Sequence, residues 1–164
     1  MEAVTNGDRE ELSYDEFGRA ARELAGQVVD SGYEPDWIVA IARGGLLIAG
    51  ALGYALSMKN IATLNVEFYT DVDRRRDVPI VLPPVLDLVD LADTKVLVAD
   101  DVADTGETLA MVIALLSESV AEARSAVIYH KPRSVIRPDY VWRHTDQWIN
   151  FPWSCEAPLR PAHH

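Results

Sequence analysis

Apolar positions along the chain fall into two alternating patterns. One is a helical period. Phe17, Ala20, Ala21, Leu24 and Val28 recur at three- and four-residue spacing, the stripe of an amphipathic helix. Ser13-Tyr14-Asp15-Glu16 ahead of it reads as a capping box, Leu12 and Phe17 are placed as a hydrophobic staple, and Gly32 is a stop. The other pattern is strand-like: Trp37 to Ile41 is the short continuous apolar run of a strand buried on both faces, and Ile61 to Val66, Lys95 to Ala99 and Ala126 to Tyr129 are further strand candidates. Helices are expected between them, over Leu46–Leu56 and about Thr108–Val120. Residues 67–84 read as irregular, with three prolines and Arg74-Arg75-Arg76. Strands alternating with helices predict an α/β domain with a mostly parallel twisted sheet flanked by helices. Ligands of such sheets bind at the carboxyl ends of the strands, and each unusual polar segment here lies at such an end.

The sharpest of these segments runs Val96-Leu97-Val98-Ala99-Asp100-Asp101-Val102-Ala103-Asp104-Thr105-Gly106-Glu107-Thr108. Two adjacent carboxylates at a strand end suit a hydrated Mg²⁺ or a pair of sugar hydroxyls, both oxygen-seeking. The turn that follows offers backbone N–H groups, a helix N-terminus and two hydroxyls, an anion cradle of phosphate size. A single N-cap would need one such residue, not five. Neither G-x-x-x-x-G-K-[ST] nor G-x-G-x-x-G occurs, so neither a P-loop nor a dinucleotide fingerprint is present. Ala42-Arg43-Gly44-Gly45 closes another strand, where the glycines admit an anion to the backbone and Arg43 adds fixed charge.

The long segment resembles the signature of the type I phosphoribosyltransferases. That resemblance implies their fold with a small base-binding hood, in one domain over 1–164: an N-terminal helix (1–35), a core (36–131), and hood and tail (132–164). It assigns Asp100 and Asp101 to the ribose hydroxyls of phosphoribosyl pyrophosphate (PRPP) and to Mg²⁺. Asp104, Thr105, Gly106, Glu107 (through its backbone) and Thr108 go to the 5′-phosphate. Ala42-Arg43-Gly44-Gly45 looks like the pyrophosphate loop of the purine enzymes, where a strained, sometimes cis, peptide precedes the glycines. His130-Lys131-Pro132 and Asp146-Gln147-Trp148-Ile149-Asn150-Phe151-Pro152-Trp153 resemble the base site of the 6-oxopurine branch. There Lys131 would meet O6, Trp148 would stack on the ring, and the Ile149 carbonyl would face the 2-substituent. Asp104 is the candidate acid/base at the purine N7, and Arg43 a catalytic cation on the leaving group. Trp153 and His130 are read as packing residues, and 67–84 occupies the position of a mobile loop. Asn150, if its amide faced inward, could donate to a 2-oxo group.

Composition narrows the classes further. The 164 residues carry a formal charge of −11, with ten acids against three bases in residues 1–36. That acidity disfavours nucleic acid as a partner. A lone cysteine, Cys155, fits a reducing compartment, and neither a signal peptide nor a membrane span is visible. A cytoplasmic purine-salvage transferase acting as a homodimer or homotetramer is the expectation. The alternative is a non-catalytic regulator that senses PRPP or purines on the same fold.

Overall fold

In a computed structural model, residues 9–69, 78–82 and 87–160 are described. The elements are β1 (Arg9–Glu11), α1 (Tyr14–Asp30), β2 (Trp37–Ala42), α2 (Gly44–Ala55), β3 (Ile61–Tyr69), β4 (Val78–Leu82), β5 (Lys95–Ala103), α3 (Glu107–Ser117), β6 (Glu122–His130), β7 (Tyr140–His144) and β8 (Trp148–Asn150). Six strands form one sheet in the order β4-β3-β2-β5-β6-β7, parallel throughout except for the antiparallel β3–β4 pair. A separate two-stranded sheet joins β1 to β8.

Successive residues of the central strands serve opposite faces. Ile38, Ala40, Leu97 and Ala99 pack with Leu24 and Val28 of α1 and Ile48 and Leu52 of α2. Val39, Ile41, Val96 and Val98 pack with Leu109, Val112 and Leu116 of α3. Both faces are covered, which is why these strands read as continuous apolar runs rather than alternating ones.

The expected capping box is present. Ser13 Oγ accepts from the Glu16 N–H at 3.1 Å, and the Glu16 carboxylate accepts from the Ser13 N–H at 3.3 Å. Gly32, at φ +74°, follows the helix as anticipated. The irregular reading of 67–84 is corrected at both ends: β3 continues to Tyr69 and β4 returns antiparallel over Val78–Leu82. Pro79 is tolerated there because β4 is the sheet edge, where a missing N–H breaks no inner ladder. Arg74-Arg75-Arg76 lies outside the described residues. Strand β5 also runs four residues past its apolar core, so Asp100 and Asp101 stand within the strand itself.

The chain leaves β2 toward one side of the sheet and β5 toward the other, so their neighbouring carboxyl ends form the switch point at which α/β sheets open a crevice. Among the described residues no helix is long and apolar enough to cross a membrane.

Candidate active site

Two helices start at that crevice, and both start uncapped. α2 follows β2 with Arg43 at its N-cap, and α3 follows β5 with Gly106 at its N-cap; neither has a side-chain cap hydrogen bond. The contrast with α1, which is fully capped and lies outside the crevice, is informative. An uncapped N-terminus leaves amide donors and the positive end of the helix dipole free for an anion. The structure thus holds two anion cradles on adjacent strands.

The glycines of these cradles are fixed by close approach. A Cβ on Gly44 would fall on the Asp101 carboxylate, and one on Gly45 would fall on the Ala99 carbonyl oxygen. Their absence lets the start of α2 lie directly against β5 and its carboxylates. Gly106 sits at φ +76°, and a Cβ there would meet Ser134 Oγ. That contact belongs to the turn after Lys131, tied down by Val135 N–H to the Thr105 carbonyl at 2.7 Å and Lys131 N–H to the Ala103 carbonyl at 3.0 Å. The Ala42–Arg43 peptide bond is cis.

Between the cradles stand Asp100 and Asp101, both half-buried. Each uses one oxygen on backbone: Asp100 Oδ1 accepts the Asp101 N–H and Asp101 Oδ1 the Val102 N–H, both at 2.8 Å. Burial, then the Asp101 carboxylate, push the Asp100 carboxyl well above its ordinary range. Burial also raises Asp101, against hydrogen bonds that lower it. A pair of carboxylates held at this electrostatic cost is poised for a cation or hydroxyl donors. Arg43, Gly44, Leu47 and Asp101 line a cleft of about 650 Å³ with Trp153 and Glu156.

Asp104 follows directly on the end of β5 and faces two cations. Arg133 Nε reaches its Oδ1 at 2.6 Å, and Lys131 Nζ stands 3.8 Å away. Lys131 is only 7% exposed, and its ammonium lies 5.7 Å from the Trp148 ring centroid. Those two residues line a second cleft of about 420 Å³ with Pro132, Arg133 and Asp146. Trp148 is 62% exposed, leaving its face free to stack. Ile149 is buried and does not line that cleft, although it adjoins Trp148 in β8.

The structure therefore brings Asp100, Asp101, Asp104, the 105–108 turn, Arg43, Gly44, Gly45, Lys131 and Trp148 to one rim. Arg133 and Asp146 join them; Asp146 lies in the base-site segment read from the sequence but had no role of its own there, and Arg133 lay outside every segment singled out. For Arg133 the only signal was its place directly after His130-Lys131-Pro132. Trp153 packs, as read, stacked on Phe151 at 5.0 Å and edge-on to Phe17 at 5.3 Å. His130 pairs with His144, Nδ1 to Nδ1 at 3.0 Å. The Asn150 amide faces β1, where Arg9 and Glu11 engage it.

A switch-point crevice with two amide cradles around a carboxylate pair defines a phosphate-handling α/β protein. Comparison with known proteins makes the class specific. A family model for the phosphoribosyl transferase domain matches residues 11–158, and the chain belongs to that family. It is 31% identical over 153 residues to a xanthine-guanine phosphoribosyltransferase of Ruegeria sp. (strain TM1040), covering 87% of this chain and 83% of the relative. Among solved structures, a purine phosphoribosyltransferase from Pyrococcus horikoshii superposes with a TM-score of 0.80 at 33% identity, over 95% of this chain and 99% of the other. A Helicobacter pylori xanthine-guanine-hypoxanthine phosphoribosyltransferase shares the fold, with a TM-score of 0.74 at 23% identity over 88% and 93% of the two chains. The protein is a phosphoribosyltransferase.

Proposed function

We propose that the protein transfers the 5-phosphoribosyl group of PRPP to a ring nitrogen of a 6-oxopurine (guanine, hypoxanthine or xanthine), in purine salvage. The products are the nucleoside monophosphate and pyrophosphate. The observation that carries this reading is the pair of uncapped helix N-termini flanking Asp100 and Asp101, with the buried Lys131 beside them.

PRPP carries phosphate at both ends of a ribose, and the two cradles match that. The start of α3, with Thr105, Gly106, the Glu107 backbone and Thr108, takes the 5′-phosphate. Arg43, Gly44 and Gly45 take the pyrophosphate, and the carboxylates between them take the ribose hydroxyls. The same carboxylates fit Mg²⁺, because each keeps a second hard oxygen and Mg²⁺ is commonly held by one or two carboxylates plus water and substrate phosphate. When bound, the ion would neutralise charge on the departing pyrophosphate. As the anomeric C–O bond breaks, negative charge grows on the leaving group, where Arg43 and the α2 amides lie ready for it. The purine nitrogen then bonds to the anomeric carbon. Asp104 holds and moves the proton at N7, exchanging its Arg133 and Lys131 partners for the base. The Lys131 ammonium donates to O6, a carbonyl acceptor, where adenine would present an amino group. Trp148 stacks on the ring, and the Ile149 carbonyl faces the 2-substituent.

Pyrophosphate release in the presence of PRPP and Mg²⁺, measured with guanine, hypoxanthine, xanthine, adenine and uracil in turn, tests the reading. Turnover is expected with 6-oxopurines and not with adenine or uracil. Absence of turnover with every 6-oxopurine overturns it.

A further inference from the structure

We infer that the N-terminal strand is a positioning element of the purine site, acting through Asn150. This rests on the base-site reading above. Strand β8 carries Trp148 and Ile149, yet it is three residues long and among the described residues pairs with β1 alone. A two-stranded ribbon of that size is marginal by itself. What fixes it is a clamp on Asn150. Arg9 Nη1 donates to Asn150 Oδ1 at 3.1 Å, Asn150 Nδ2 donates to Glu11 Oε1 at 2.5 Å, and the Leu12 N–H donates to the Asn150 carbonyl at 3.1 Å. Both ends of the side-chain amide are thereby taken up by residues 139 and 141 positions away in the chain.

The clamp is itself anchored. Between Arg9 and Glu11, Glu10 pairs with Arg143 of β7 at 2.5 Å and accepts from the Tyr129 hydroxyl of β6 at 3.4 Å. Leu12 is buried in the core, and the capping box of α1 begins at the next residue. The strand is therefore held to the main sheet and to α1 at once.

Ladder geometry supplies the consequence for the base. Backbone groups of alternate residues in a strand point to opposite edges. Since the Asn150 carbonyl is turned toward β1, the Ile149 carbonyl is turned toward the other edge of the ribbon, away from β1. Asn150 thus sets the direction of the backbone that meets the 2-substituent without touching the base. The PRPP cradles stand on β2, α2, β5 and α3 and do not depend on this ribbon.

The test is steady-state kinetics of Asn150→Ala in the full chain, with purine and PRPP varied separately. Losing two side-chain hydrogen bonds is expected to raise the KM for the purine about tenfold, with kcat at saturating purine and the KM for PRPP within about twofold. The double variant N150D/E11Q rebuilds the clamp, a carboxylate accepting from Arg9 and from the new amide, and should return the purine KM to within about threefold of wild type. A general loss of structure would move all parameters together and would not be rescued. An unchanged purine KM in Asn150→Ala, or a PRPP KM that rises in step with it, overturns the clamp while leaving the reaction intact. Failure of the wild type to turn over any 6-oxopurine removes the base-site reading and the clamp with it.

Discussion

Three glycines of α2 should respond to alanine in three different ways. Gly50 has nothing within 4 Å of the position a Cβ would take, so Gly50→Ala only replaces a poor helix former by the best one. The gain is about 1 kcal/mol, or roughly 2–4 °C in Tm for a chain of this size. Gly45→Ala places its methyl on the Ala99 carbonyl oxygen, 3.2 Å from the carbonyl carbon and 3.3 Å from Asp100 Cα. All of that is backbone of a strand paired on both sides, and it cannot yield without parting α2 from the sheet. Overpacking of this kind costs about 1–3 kcal/mol, which exceeds the propensity gain at the upper end. Gly44→Ala meets the Asp101 side chain instead, which can rotate away. Its Tm should stay near wild type while activity collapses, about a hundredfold in kcat/KM, because a carboxylate of the proposed sugar site has moved. Thermal melts and pyrophosphate release on the same preparations decide the matter. A Gly44→Ala protein with full activity, or a Gly45→Ala protein as stable as Gly50→Ala, would refute the close-packing argument.

Lys131→Met preserves the buried stem but not the ammonium, so the KM for a 6-oxopurine should rise by about ten- to a hundredfold, read against an unchanged KM for PRPP. Asp100→Asn should stabilise the protein at neutral pH while abolishing turnover. Its folded-state pKa is raised, so the native state gains protons more readily than the unfolded chain. Wild-type stability therefore gains from this group as pH falls through the folded pKa toward the unfolded value near 3.9, and loses that gain at higher pH. Denaturant melts at pH 5 and 7.5 should show the advantage of Asp100→Asn at the higher pH and its shrinkage at the lower. Tyr33→Phe removes a buried hydroxyl that donates to the Val96 carbonyl at 2.7 Å, and should cost about 1–2 kcal/mol of stability with kinetics unchanged.

The parts of the fold legible in the sequence are those whose burial is one-dimensional. β2, β5 and β6 are covered on both faces, so hydropathy alone marks them, and the first helix announces itself by its cap. The elements that escaped are short and half-exposed. Arg9-Glu10-Glu11 has no apolar residue at all, and its strand character comes entirely from a partner 139 residues on. β7 and β8 depend on neighbours in the same way, and β4 hides behind Pro79. At the site, the acidic pair and glycine turns were legible because few other chemistries need them. Arg133 was not, since a single exposed arginine carries no pattern until Asp104 is seen opposite it.

The places where local rules are broken coincide with the crevice. α1 satisfies its N-terminal donors through its own side chains, whereas α2 and α3 have no side-chain caps. The carboxyl groups of Asp100 and Asp101 stand side by side although burial raises the cost of ionising both and the Asp101 charge raises it further for Asp100. Natural sequences accept such conflicts chiefly where function requires them. They also explain how a chain of net charge −11 can hold a ligand with two phosphate-bearing ends. Ten of its acids lie in residues 1–36, none of them in the segments that build the crevice. On the proposed reading the anion meets amide dipoles and Arg43, and formal net charge does not count amides. Overall acidity and the proposed anion recognition are thus independent properties, one concentrated in the N-terminal segment and the other assigned to two helix ends.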